Sequence, residues 1–302
     1  MKVWQADLAI IGAALLWGLS YIFTRWGLED CSPALFLLCR FGLALAACLV
    51  LFGRRLKGVS PLVLRRGLTL GFFMGAGYLL QTYSVNFTEV PRAAFIAAMT
   101  LPAIPAVAFI LFRERVKRHN LIGVILALAG LHLLLDPRFS GLNAGDVIAF
   151  LSVPMWALYM IYLNLYTEGE KGFEATARFM VLQFAGAIPL TLAAALIFET
   201  GLVPPLHPDL DKGLTVSGPF LAGLLFCALP ASIGAIFIQT ACQKYTTALQ
   251  AMLCFQLEPV TATAAAVLLL GETVGLIAAL GAAVIICGIL FSEVGGLLAR
   301  NK

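Results

Sequence analysis

Two charged residues stand where charge is costly. Glu258 lies within the apolar stretch from Ala251 to Glu272, and Arg40 lies in the apolar stretch that begins at Pro33. An ionised group at bilayer depth costs on the order of 2.5 to 3.5 kcal/mol on insertion scales, so each needs a partner or a task. Counting about 1.5 Å per residue puts Arg40 roughly 10 Å and Glu258 roughly 12 Å below the same membrane face. At that depth they can pair with each other, engage opposite charges of a substrate, or let Glu258 carry a proton. Polar and aromatic side chains recur at helical spacing nearby: Trp17 with Ser20, Tyr78 with Gln81, and Ser152 with Trp156 and Tyr159. Together with Phe95, Met99, Gln239 and Phe255 they form the candidate substrate-binding set. Such an inventory suits binding and release of a small molecule rather than bond chemistry.

Enzyme signatures are missing from the sequence. It holds no H-E-x-x-H, no G-x-S-x-G, no nucleotide-binding P-loop and no pair of aspartates on apolar helix faces. No cofactor motif appears. Six of the seven cysteines, Cys39, Cys48, Cys227, Cys242, Cys254 and Cys287, fall in apolar runs at no metal-ligand spacing. His207 with Asp209 and Asp211 reads as solvated charge in a loop rather than a metal cluster.

The elements that must position these residues follow from composition. Hydrophobic residues make up 61% of the 302 and charged residues 12%, and the mean hydropathy is +0.96; these values describe an integral membrane protein. Apolar runs of spanning length fall at roughly 6–26, 33–52, 64–85, 90–112, 120–135, 143–163, 175–198, 217–242, 246–269 and 274–294. They predict an all-α fold of ten transmembrane helices. The first run is too long for a signal-peptide core and reads as a retained helix. Lysine and arginine gather in alternate loops, which places both termini in the cytoplasm, the Lys117 loop inside and the Glu199–Gly218 loop outside. Prolines at 102, 154, 230 and 259 predict bends in the fourth, sixth, eighth and ninth spans, where Pro102, Pro154, Pro230 and Pro259 are candidate gates. The sequon Asn86-Phe87-Thr88 falls on a predicted external loop. Glycines at 67, 71 and 75 let a neighbouring helix approach the third span closely, and Gly123, Gly130, Gly281 and Gly288 mark the fifth and tenth spans as scaffold or oligomer contact.

The chain also repeats. One constant shift places Asp7 on Asp146 and Trp17 on Trp156; a second places Gln81 on Gln239, Thr88 on Thr246, Glu114 on Glu272, Gly123 on Gly281 and Gly130 on Gly288. Residues 1–137 and 138–302 therefore read as two copies of one five-helix unit. An odd number of crossings inverts the second copy, and inverted repeats build many secondary transporters around a midplane site. The repeat breaks at Arg40 and Glu258, so the scaffold alone requires neither charge.

These residues carry a resemblance. Trp17-Gly18 in the first span, Arg40-Phe41, the proline-bearing fourth span, Gly271-Glu272 and the glycine-spaced last span resemble the drug/metabolite transporter superfamily, in its ten-helix EamA branch. The resemblance covers essentially the whole chain and implies a carrier of small metabolites, with spans 1, 3, 4, 6, 8 and 9 around a central cavity. It spans substrates from amino acids to nucleotide sugars. The expectation is a secondary transporter of the bacterial inner membrane that exports a small metabolite, an amino acid foremost, by alternating access. Its partners are the substrate, membrane lipid and, in one reading, protons, with no nucleic acid. Import of a phosphorylated or nucleotide-linked metabolite is the second transport reading, and a non-transporting receptor or scaffold is the rival class.

Overall fold

The computed structural model describes residues 1–113, 117–137, 141–170, 172–199, 213–271 and 273–300. The loop cluster at His207, Asp209 and Asp211, and the residues Glu114 and Glu272, lie outside the described residues. Helices account for nearly everything described. In chain order they are α1 (Val3–Glu29), α2 (Pro33–Phe52), α3 (Pro61–Ser84), α4 (Val90–Ala97), α5 (Thr100–Phe112), α6 (Arg118–Leu135), α7 (Ala144–Thr167), α8 (Gly172–Phe198), α9 (Gly218–Ala228), α10 (Ala235–Cys242), α11 (Ala248–Phe255), α12 (Leu257–Leu270) and α13 (Leu276–Arg300). Among the described residues, eight continuous or interrupted helices are long and apolar enough to cross a membrane. Two further crossings complete ten: α3, which is 24 residues long but carries Arg65 and Arg66, and the apolar stretch Leu276–Ser292. The protein is an all-α, multi-pass membrane protein. Exposed aliphatic and phenylalanine side chains such as Val50, Ile110, Phe150 and Leu268 cover its outside, as a lipid-facing surface requires.

Two of the crossings are broken, and the prolines explain where. The fourth crossing stops at Ala97 and restarts at Thr100; the ninth stops at Phe255 and restarts at Leu257. Pro102 and Pro259 each stand third in the restarted helix. A proline ring collides with the carbonyl four residues back and offers that carbonyl no N–H, so the break falls one turn upstream of the ring. The eighth crossing widens instead of breaking: α9 and α10 are joined by a π-helical segment, Leu229–Gly234, that contains Pro230. Pro154 does not act this way. It lies inside an uninterrupted α7.

Close approach does the assembly. A side chain on Gly71 would meet the Gln183 carbonyl oxygen at 2.2 Å, and one on Gly186 would meet the Leu68 carbonyl at 2.4 Å, so α3 and α8 touch backbone to backbone. Gly130 faces the Gly281 carbonyl at 2.6 Å and Gly123 faces that of Gly288 at 3.0 Å. The glycines of α6 and α13 are therefore consumed by each other rather than offered to a second copy. That interface is also less apolar than expected, since Ser292 donates to Asn120 at 3.0 Å within it.

Charges near the helix ends are buried with partners. Arg92, in the first turn of α4, pairs with Asp146, and both side chains are almost wholly inaccessible. Asp146 also accepts from Thr88 Oγ1 at 3.0 Å and from the Asn143 amide at 2.9 Å, where it closes the N-terminus of α7. Glu199 serves α2 in the same manner, accepting from the Ala34 and Leu35 amides, the Ser32 hydroxyl and the Tyr83 hydroxyl. Asn86 of the sequon lies in the loop between α3 and α4, with its Nδ2 buried.

Candidate functional site

Seven residues of the expected set come together on the wall of one cavity. Trp17 of α1, Tyr78 and Gln81 of α3, Trp156 of α7, Gln239 of α10, Phe255 of α11 and Glu258 of α12 line a space of about 120 Å3. Helices from both halves of the chain meet there, and α6 joins them through Leu131 and Leu135. Five aromatic residues stand on the wall: Trp17, Tyr21, Tyr78, Trp156 and Phe255. Trp17 lies 4.8 Å from Phe255 between ring centroids, and Tyr78 lies 5.0 Å from Trp156 in an edge-on contact. Gly77 makes this second contact possible: a Cβ there would sit 2.7 Å from the Trp156 indole.

The polar groups have assigned geometry. The Trp17 indole N–H donates to the Ala231 carbonyl, within the π-helical segment, at 2.6 Å. Arg40 Nε donates to Ser232 Oγ at 2.8 Å, and Ser232 in turn donates to the Cys227 carbonyl at 2.8 Å. Trp17 and Arg40 thus hold the widened segment of the eighth crossing from two sides. The Arg40 guanidinium lies 4.9 Å over the Tyr78 ring, a cation–π contact that sets it behind the wall rather than on it. Glu258 shares the cavity wall with Tyr21 of α1. Close fit with α1 fixes its backbone, since Gly18 approaches the Glu258 carbonyl so nearly that a Cβ would meet it at 2.6 Å.

Five expected residues are placed elsewhere. Arg40 forms no ion pair with Glu258; the described ion pairs are Arg55–Glu174 and Arg92–Asp146. Ser20 turns back to the Trp17 carbonyl at 2.7 Å. Phe95 packs edge-on to His132 at 5.6 Å, and Met99 stands at the helix break ahead of α5. Tyr159 is fully buried beneath the cavity, where its hydroxyl donates to Gln183 at 2.8 Å. That bond opens a chain of amides: Gln183 donates to Thr240, Gln239 to Gln243, and Gln243 to Asn164 and to the Met160 carbonyl. The residues missed are Tyr21, Thr100, Met160, Met252 and Gln256, which also face the cavity. Tyr21 was within reach of sequence reasoning, one turn along from Trp17 on the face that carries Gly18. Among the described residues no group of three histidines, cysteines or carboxylates is placed to hold a metal ion.

A cavity between two related sets of broken helices in a ten-crossing membrane protein defines a small-molecule carrier. The EamA-like transporter family description matches residues 4–135 and again residues 143–293, so the chain belongs to that family, with one match in each half. A transporter of unassigned substrate from Archaeoglobus fulgidus is 24% identical over 290 residues, covering 96% of this chain and 86% of that protein. A Salmonella typhimurium protein named a probable amino-acid metabolite efflux pump is 25% identical over 291 residues, covering 95% and 94%. One crystal structure superposes with a TM-score of 0.72 at 21% identity, over 98% of this chain and 99% of that one, and supports the fold.

Proposed function

We propose that this transporter exports a small amphipathic metabolite, an amino acid foremost, by alternating access between two inverted repeats, residues 1–137 and 138–302. The observation that carries the reading is the aromatic cavity with one carboxylate on its wall. Trp17, Tyr78, Trp156 and Phe255 offer ring faces to an apolar side chain or an ammonium group, while Glu258 supplies the complementary charge or carries a coupling proton. The Salmonella relative's name points the same way. A phosphorylated substrate would need basic residues on the wall, and none of the described lining residues is basic. The helix breaks ahead of Pro102 and Pro259 and the widened turn at Pro230 are the joints at which the repeats would move. Both termini then lie in the cytoplasm of a bacterial cell, the side to which the basic loops point.

The test is flux in proteoliposomes. Each of the twenty amino acids, a sugar phosphate and a nucleotide sugar is loaded as a radiolabelled solute, and counterflow is measured with and without a pH gradient. Saturable counterflow of one or more amino acids supports the reading, and loss of the pH response in Glu258→Gln assigns the proton to that carboxylate. Flux of phosphorylated solutes alone would overturn it, and the absence of saturable flux for any solute would favour a receptor or scaffold.

A further inference from the structure

A second and larger cavity, of about 550 Å3, lies at the end of the molecule that carries Lys117 and Lys244. It continues the central one. Met160 of α7 lines the central cavity and Asn164, one turn on, lines the second; Thr100 and Ile104 of α5 stand in the same relation, as do Met252 and Leu249 of α11. The amides of Gln243 and Asn164, bonded to each other and to the Met160 carbonyl, form the partition between the two. Both cavities therefore sit end to end on one set of helices.

The chemistry of the second cavity differs from that of the first. Among the described residues, Lys117, Lys244 and His119 stand on its wall with one acid, Glu168. Lys244 is held in place by its donation to the Glu170 carbonyl at 2.7 Å. Ile161, Leu165 and Ala108 give the remainder an apolar floor. Its volume falls in the range of small-molecule sites, about 300 to 1,000 Å3. We infer that this cavity is a loading vestibule that collects small amphipathic molecules bearing an anionic head, a carboxylate foremost, before they cross the amide partition. As a loading site it rests on the export reading, although its selectivity for anions does not.

A substrate-free probe tests the charge. In the full-length chain carrying Ala108→Cys, reaction of position 108 is followed by peptide mass spectrometry with two methanethiosulfonates, the anionic sulfonatoethyl and the cationic trimethylammonioethyl reagent. The anionic-to-cationic rate ratio should fall by about threefold or more in Lys117→Gln/Lys244→Gln, the effect of two unit charges acting across about one Debye length in a watery cavity. Lys117→Gln alone, which removes an exposed side chain and leaves the Lys244 anchor intact, should give part of that fall. Glu168→Gln should raise the ratio. A ratio unmoved by all three variants, or a position 108 closed to both reagents, overturns the vestibule. The expected ratios combined with no saturable flux by the unmodified transporter would instead keep the anion site and remove the export reading.

Discussion

The Arg92–Asp146 pair joins the fourth crossing to the sixth, across the two halves of the chain, with both side chains almost wholly inaccessible. Asp146→Asn keeps the shape and an acceptor for Thr88, yet it leaves the guanidinium buried without a counter-charge. Breaking a buried pair from one side costs about 3 to 5 kcal/mol. At roughly 2 to 4 °C per kcal/mol for a chain of this size, the unfolding midpoint in detergent should fall by about 10 °C. The double variant Arg92→Gln/Asp146→Asn removes both charges and should recover most of that loss. Thermal unfolding of the four proteins, followed by intrinsic fluorescence, completes the cycle. A loss of under about 1 kcal/mol for Asp146→Asn, or a double variant no better than the single one, would refute the reasoning, because it would mean that water reaches the pair.

Gly71→Ala should destabilise by about 1 to 3 kcal/mol, because its methyl would collide with the Gln183 carbonyl, whereas Gly42→Ala, with nothing within 4 Å, should be neutral by the same thermal assay. Glu199→Gln should lower stability by about 1 to 3 kcal/mol, since one carboxylate answers two helix amides and two hydroxyls, and thermal unfolding beside Glu174→Gln at the exposed pair provides the comparison. Burial foremost, with Cys39, Glu199 and Asp30 nearby, pushes the Cys31 thiol up to about 12. A raised value keeps the thiol protonated through neutral pH, so its labelling by N-ethylmaleimide should stay slow at pH 7 to 9 while exposed Cys287 reacts in detergent, as peptide mass spectrometry would show.

The crossings were legible because hydropathy over about 20 residues is a strong signal, and the repeat was legible because Trp17 and Asp7 recur as Trp156 and Asp146. Their partners were not. Periodicity places Trp17 on a face but cannot show that its indole N–H seeks the Ala231 carbonyl, because that carbonyl belongs to a π-helical segment 214 residues away in sequence. Counting along the spans gives Arg40 and Glu258 a depth, yet depth is one coordinate of three; in the structure Arg40 turns to Ser232 and lies over Tyr78. Glu199 reads as a loop charge because it stands at a helix end, and the burial of Glu199 and Arg92 depends on segments far away in sequence. The breaks at Ala98–Met99 and Gln256 follow from Pro102 and Pro259, whereas Pro154 shows that a proline in a helix flanked on both sides need not interrupt it.

The central claim is that the aromatic cavity with Glu258 on its wall is where substrate sits. Its most direct test is amino-acid counterflow in proteoliposomes by the unmodified transporter, Trp156→Ala and Glu258→Gln, each reconstituted at equal, measured abundance. The account predicts saturable flux for the unmodified protein and a fall of about tenfold or more in each variant, equivalent to about 1.4 kcal/mol of lost interaction. Equal saturable flux from all three proteins would contradict it and move the substrate away from this cavity.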